Sequence, residues 1–253
     1  MLRFVKEWLR PNKREILIYS ILMGLALLIS FSRNMLFAYV LEPIDMGYYS
    51  IVITISSYGV LLQIGLMSGL SRELPVSLGK GNIEKSNNLI GETTTSVLFI
   101  QSLFLLIYFL VISLLSFEDS TKKSAFFLAG LVVIPAQLLS IVMLRLRSEQ
   151  RTLAYSALHL ATTFVTVMVG FLAAKEFGFQ GAIWALIFVN IISFIIVSTK
   201  YLPIVNYLYF NRKDITYLIK IGFPAMLSGV LVSFYLSMDK LFLIRFSTVE
   251  NLG

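Results

Sequence analysis

Four ionisable residues stand inside long apolar runs of this chain. Arg33 lies within residues 16–40, and Asp239, Lys240 and Arg245 lie in the last third of residues 218–246. An ionisable group at membrane depth costs about 2.5–3.5 kcal/mol on insertion scales, so it turns towards a bundle interior or a watery cavity. A guanidinium offers a planar fork of donors that matches oxyanions in a bidentate way. Arg33 sits about seven residues, roughly 10 Å, from the end of its run, so snorkelling to the interface competes with a cavity position. Asp239 has Arg33 and Arg245 as prospective partners. It forms either a fixed ion pair between the first and last runs or, with Lys240 beside it, a switchable pair or a cation-coupling site.

A second constellation follows helical spacing. Tyr155, Ser156, His159, Thr162, Thr163, Thr166 and Gly170 recur at steps of three and four. In a lipid-bathed helix such a stripe faces other helices or water, which predicts His159, Thr162, Thr163 and Thr166 as cavity lining. His159 is the only histidine, so a His-rich metal site is excluded, and a packed, hydrogen-bonded ring is preferred over a proton relay. The 253 residues contain no cysteine, hence no disulfide, thiolate metal site or thiol chemistry. There is no Ser/His/Asp grouping, no phosphate-binding Gly-Lys loop and no carboxylate cluster in a sizeable loop. No enzyme activity, cofactor or metal is expected.

The elements that must position these groups are membrane spans. Hydrophobic residues make up 57% of the chain and charged residues 14%, against about 25% charged in a soluble domain. Several apolar runs reach about 20 residues without in-out alternation, which points to helices and away from a β-barrel. The fold class is therefore all-α, a polytopic helical bundle of about seven transmembrane helices. The spans are placed at 16–40, 47–70, 91–116, 124–144, 152–174, 181–201 and 218–246. Residues 1–15 read as a cytoplasmic interfacial amphipathic segment, with Leu2, Phe4, Val5, Trp8 and Leu9 among Arg3, Lys6, Arg10, Lys13 and Arg14. The first apolar run is too long for a signal peptide and lacks a cleavage site.

Charge alternates along the connections. Segments 1–15, 71–90, 145–151 and 200–220 hold 15 of the 21 Lys and Arg, and the opposite connections hold 3. This asymmetry predicts a cytoplasmic N-terminus and explains the net charge of +7 without nucleic acid. The basic ends, among them Arg72, Lys80, Arg145, Arg147 and Arg151, are expected to touch anionic lipid heads. Other spans also carry polar residues: Thr54 and Tyr58 in the second, Glu92 to Ser96 and Gln101 in the third, Gln137 beyond Pro135 in the fourth, Asn190 in the sixth. They predict a solvated interior.

Sliding the seventh span onto the first by 206 residues superposes Gly253 on Gly47 and Asp239 on Arg33. The offset equals six spans, as expected for parallel repeats with substrate bound between two halves. The domains follow: a six-helix lobe over 16–201, a cytoplasmic linker over 202–217, and 218–253 as the first helix of an incomplete second lobe.

Three blocks carry a resemblance. FAYVLEPIDMGYYSI at 37–51, GLMSGLSRELPVSLGKGNIE at 65–84, and 221–253 with Gly222, Pro224, Ser228, Asp239 and the ending FSTVENLG resemble bacterial polysaccharide flippases. These belong to the multidrug/oligosaccharidyl-lipid/polysaccharide (MOP) exporter superfamily. The resemblance implies a carrier in the bacterial inner membrane. It would move an undecaprenyl-pyrophosphate-linked oligosaccharide outwards for O-antigen, capsule or exopolysaccharide synthesis. It also implies partnership with a polysaccharide polymerase and chain-length regulator. In that setting Arg33 holds the pyrophosphate, and Asp239 pairs with it when substrate is absent. The family usually has twelve to fourteen spans in two lobes, so the expectation here is a fragment or truncated product, poorly stable alone. Alternatives are a cation-coupled multidrug exporter of the same superfamily and a truncated, non-transporting membrane protein.

Overall fold

The computed structural model describes residues 13–117, 119–201 and 211–246, with side chains described throughout except at 13, 200, 201, 239–241 and 243–246. Among the described residues the regular structure is entirely α-helical. In chain order the helices are α1 (Lys13–Val40), α2 (Pro43–Leu61), α3 (Leu66–Gly79), α4 (Ile83–Leu114), α5 (Ser120–Ser148), α6 (Thr152–Tyr201) and α7 (Arg212–Phe246). The amphipathic stretch 1–12, the linker stretch 202–210 and the end 247–253 lie outside the described residues. The residues 212–217 assigned above to the linker are helical.

Local chemistry sets the helix ends. Pro43 opens α2 at a position whose N–H has no helical partner, and its fixed φ suits the first turn. Asn82 caps α4 by accepting from the Lys85 N–H at 2.9 Å, and Asp119 caps α5 by accepting from the Thr121 N–H at 2.8 Å. The 50 residues of α6 are not one rod. Phe177 and Gly178 depart from helical geometry, with Gly178 at φ 60° and ψ −150°. The chain folds back there, so that a side-chain carbon at Gly181 would collide with the Ala173 carbonyl oxygen. Asp45 of α2 reaches this turn and accepts from the Phe179 N–H at 3.3 Å, capping the second half of α6 from another helix.

The expected second span is a bent pair. α2 and α3 meet at 57°, with Ile64 and Gly65 at positive φ between them. Five helices are long and apolar enough to cross a membrane, six if the bent pair is one span, and the fold-back divides α6 into two halves, all among the described residues.

Two apolar clusters hold the bundle. One joins α1, α2, α5 and the turn of α6 through Phe37, Tyr48, Tyr49, Ile51, Leu128 and Ile183. It lies at the end that carries Glu42, Asp45, Asp119 and Glu176. The other joins α3, α4, α5 and α7 through Leu66, Leu70, Leu74, Ile90, Ile141 and Leu218. It lies at the basic end, marked by Lys80, Arg145, Arg147, Arg151 and Arg212. α3 and α7 touch backbone to backbone. A side-chain carbon at Gly69 would collide with the Leu218 carbonyl oxygen, and one at Gly222 with the Gly65 carbonyl oxygen. Gly65 and Gly69 form a G-x-x-x-G step, the spacing that lets helices approach closely where water supplies no hydrophobic drive.

Candidate binding cavity

A cavity of about 630 Å³ opens between α1, α3, α5 and both halves of α6. On α6 its wall runs from Tyr155 to Val167, roughly 18 Å along the helix axis. On α5 it covers the half nearest the basic end, from Ala136 to Arg147. The cavity therefore reaches from the basic end to about mid-depth. The Phe37, Tyr48 and Tyr49 cluster fills the opposite end. There the Phe37 and Tyr49 rings meet edge to face at 5.1 Å, one helical turn beyond Arg33.

The walls carry two guanidinium groups. Arg33 of α1 lies deep, and Arg147, near the last residue of α5, lies at the mouth. The Arg33 Nε is buried without a hydrogen-bond partner. Between the two arginines the lining is rich in hydroxyls: Ser30, Ser68, Ser71, Ser140 and Tyr155, with Thr162, Thr163 and Thr166. Asn190 adds an amide and His159 an imidazole, whose ring stacks on Tyr155 at 6.2 Å. Thr162 gives its proton to the helix, towards the carbonyls of Leu158 at 2.9 Å and His159 at 3.0 Å, and keeps an acceptor lone pair for the cavity. The described lining contains no Asp or Glu. Such a wall offers charge-assisted donors to an oxyanion and both donors and acceptors to neutral polar groups.

The structure thus places Arg33, His159, Thr162, Thr163 and Thr166 on one cavity. Asp239, Lys240 and Arg245 lie on α7, but their side chains are outside the described residues. The expected pairing of Asp239 with Arg33 would set the last span against the first. The described lining comes from the first, second, fourth, fifth and sixth, and α7 packs on the far side of α3 instead. There the Tyr58 hydroxyl bonds the Ser237 hydroxyl and donates to the Ser233 carbonyl at 3.3 Å.

Arg147 and the serines of α3 and α5 were not singled out as lining. An arginine at a basic helix end has the same sequence signature at a cavity mouth as at a lipid head group. Ser68 and Ser71 stand three residues apart on α3 and were the available signal there. Away from the cavity, Gln137 donates from Nε2 to Gln63 Oε1 at 2.9 Å, tying α5 to the break between α2 and α3.

No family model and no curated protein matches this chain. Among solved structures it is similar to one described as a MOP superfamily transporter from Pyrococcus furiosus Vc1, whose report concerns a reversed polarity of the binding pocket. The TM-score is 0.63 at 14% identity, over 90% of this chain and 53% of that one. The chain therefore shares the fold of about half the length of that transporter.

Proposed function

We propose that this lobe belongs to a carrier that moves an undecaprenyl-pyrophosphate-linked oligosaccharide from the cytoplasmic to the outer face of the bacterial inner membrane. One observation carries the reading: a hydroxyl-lined cavity with an arginine at its mouth, another at its floor, and no acidic residue in its described lining. Arg147 meets the pyrophosphate first, and Arg33 holds it at mid-depth while the sugars occupy the hydroxyl walls. The fold shared with a transporter supports a carrier, and the cavity's reach from the basic end supports this direction of loading. The basic end is then cytoplasmic, as the distribution of Lys and Arg favours. The lobe works as a carrier and not as an enzyme. The polymerase and chain-length regulator of polysaccharide synthesis are its expected downstream partners.

The test is glycan export in cells that depend on the full-length carrier. Arg33→Ala removes charge-assisted hydrogen bonds worth about 1.5–3 kcal/mol, hence roughly 10- to 100-fold in head-group affinity, and abolishes export. Arg33→Lys keeps the charge and retains part of it. Export by Arg33→Ala equal to wild type overturns the reading. A cation-coupled drug exporter of the same superfamily would want carboxylates facing its cargo. Drug efflux unaffected by Arg33→Ala, in a chain that exports no glycan, would favour that alternative.

A further inference from the structure

α4 carries several buried polar side chains. Glu92, Thr93, Ser96 and Gln101 each hold buried polar atoms without a hydrogen-bond partner among the described residues. Of these, Gln101 lines a second cavity, of about 180 Å³, enclosed by α2, α4 and α5. This cavity shares no lining residue with the arginine-walled one. Gln101 is 1% exposed, and neither the oxygen nor the nitrogen of its carboxamide is bonded.

The cavity sits at mid-depth. Gln101 stands 18 residues from the first residue of α4 and 13 from the last, which is about 27 Å and 20 Å along the axis. Leu62 and Phe104 are the exposed members of the lining. Both are apolar, so the mouth at this depth meets acyl chains. The walls are close-packed around the space: Gly59 leaves room for Val133, and Gly130 for the rings of Tyr108 and Phe109. The described lining holds no Asp, Glu, Lys, Arg or His. Its two phenols are engaged elsewhere, Tyr108 donating to the Phe126 carbonyl at 2.7 Å and Tyr58 to the Ser233 carbonyl at 3.3 Å. The volume equals the liquid share of about six water molecules, each of which needs two to four polar partners. This lining offers one free carboxamide. Water alone fills such a space poorly, and hydrocarbon alone leaves the amide unpaired.

We propose that this cavity is a binding site for a small neutral amphiphile of the phenol class, drawn from the bilayer. A carboxamide presents one acceptor and two donors, and a single hydroxyl answers both kinds with its proton and its lone pairs. The rings of Tyr58, Phe104 and Tyr108 suit an aromatic body, which packs on them offset or edge to face. The space is well below the roughly 300–1,000 Å³ of a drug-sized site, which limits the ligand to one ring with a short alkyl chain. The occupant packs against Tyr58, whose hydroxyl ties α2 to α7. The site is independent of the cargo that the larger cavity takes.

The test uses the full chain in lipid nanodiscs and a para-alkylphenol that carries a diazirine on its alkyl chain. Irradiation labels segments 55–62 and 101–108, read by peptide mass spectrometry. Para-propylphenol suppresses this labelling at a membrane concentration roughly 2- to 10-fold lower than propylbenzene needs, the factor expected of one hydrogen bond. Q101L keeps the volume and removes the amide, so the two competitors become equal. L62W closes the mouth from an exposed position and lowers the labelling, which keeps the test open if Q101L folds poorly. Three results overturn the proposal: equal competition by both compounds in the wild type, a phenol preference that survives Q101L, and labelling that L62W leaves unchanged. Labelling that neither compound suppresses reports contact with the bilayer only, and overturns it as well.

Discussion

A single phenol tests how the end opposite the basic one is held shut. Tyr48 of α2 donates to the carboxylate of Asp119, the capping residue of α5. That hydroxyl, with the Thr121 N–H, holds the Asp119 carboxyl below its usual range. A carboxyl that releases its proton more readily in the folded than in the unfolded state adds stability at higher pH. The contribution is fully present above the ordinary carboxylate value, near 4, and is lost as pH falls through the lowered folded value. Tyr48→Phe keeps the ring in its cluster and removes the donor. Thermal midpoints measured from neutral to acid pH are expected to drop less steeply for Tyr48→Phe than for wild type, from a lower starting point. Residues of this kind divide by what a sequence displays. Arg33 and the threonine stripe were legible as candidates, because a charge at depth has only the interface or a cavity to turn to and a polar period of three to four turns inward in a lipid-bathed helix. Asp119 was not, because a lone acid in a connection carries no sign of which tyrosine it meets. Glu92 was read only as part of a polar helix start, since burial without a partner is a property of neighbours and not of the residue.

At the scale of elements, two backbone devices shape the lobe, and both rest on glycine. Gly178 holds φ 60° at the fold-back of α6, and a methyl there would strike the Asp45 carboxylate. Gly178→Ala is therefore expected to destabilise by about 1–3 kcal/mol through strain, read as a lower thermal midpoint in detergent. The α3–α7 seam is the second. Gly69→Leu or Gly222→Val forces backbones apart and costs about 1–3 kcal/mol or more, whereas Gly229→Ala, with nothing within 4 Å, leaves the midpoint unchanged or slightly raised. Equal midpoints for Gly222→Val and Gly229→Ala would show that the seam contributes nothing. The spans themselves were legible from apolar length, and the fold-back of α6 from the polar and glycine residues near 175–181. The 57° bend was not. Residues 47–70 read as one apolar run, and the bend depends on Ile64 at φ 52°, a conformation that β-branched residues rarely adopt and that tertiary contacts must impose.

The whole molecule is polarised twice, by charge and by access. One end carries most of the arginines and lysines and opens into the cavity. The other carries Glu42, Asp45, Asp119 and Glu176 and is filled by aromatic packing. These polarities belong together if anionic cargo enters from the cytoplasm and the outer end is closed behind it. The chain's lack of cysteine makes the arrangement directly measurable, because any introduced thiol is unique. A membrane-impermeant maleimide added to intact cells should label Glu42→Cys and Glu176→Cys, both exposed at the closed end, and spare Lys80→Cys and Arg151→Cys. The reverse pattern would invert the topology and with it the direction of loading. Thr163→Cys lies on the cavity wall below the aromatic seal, so it should react only when the reagent reaches the basic end, as in inverted vesicles. Inorganic pyrophosphate should then slow its labelling, and the protection should vanish when Arg33→Ala is added to the same chain. Protection that survives the loss of Arg33 would place the anion at Arg147 alone, and labelling from outside would mean that the seal of Phe37 and Tyr49 does not close the lobe.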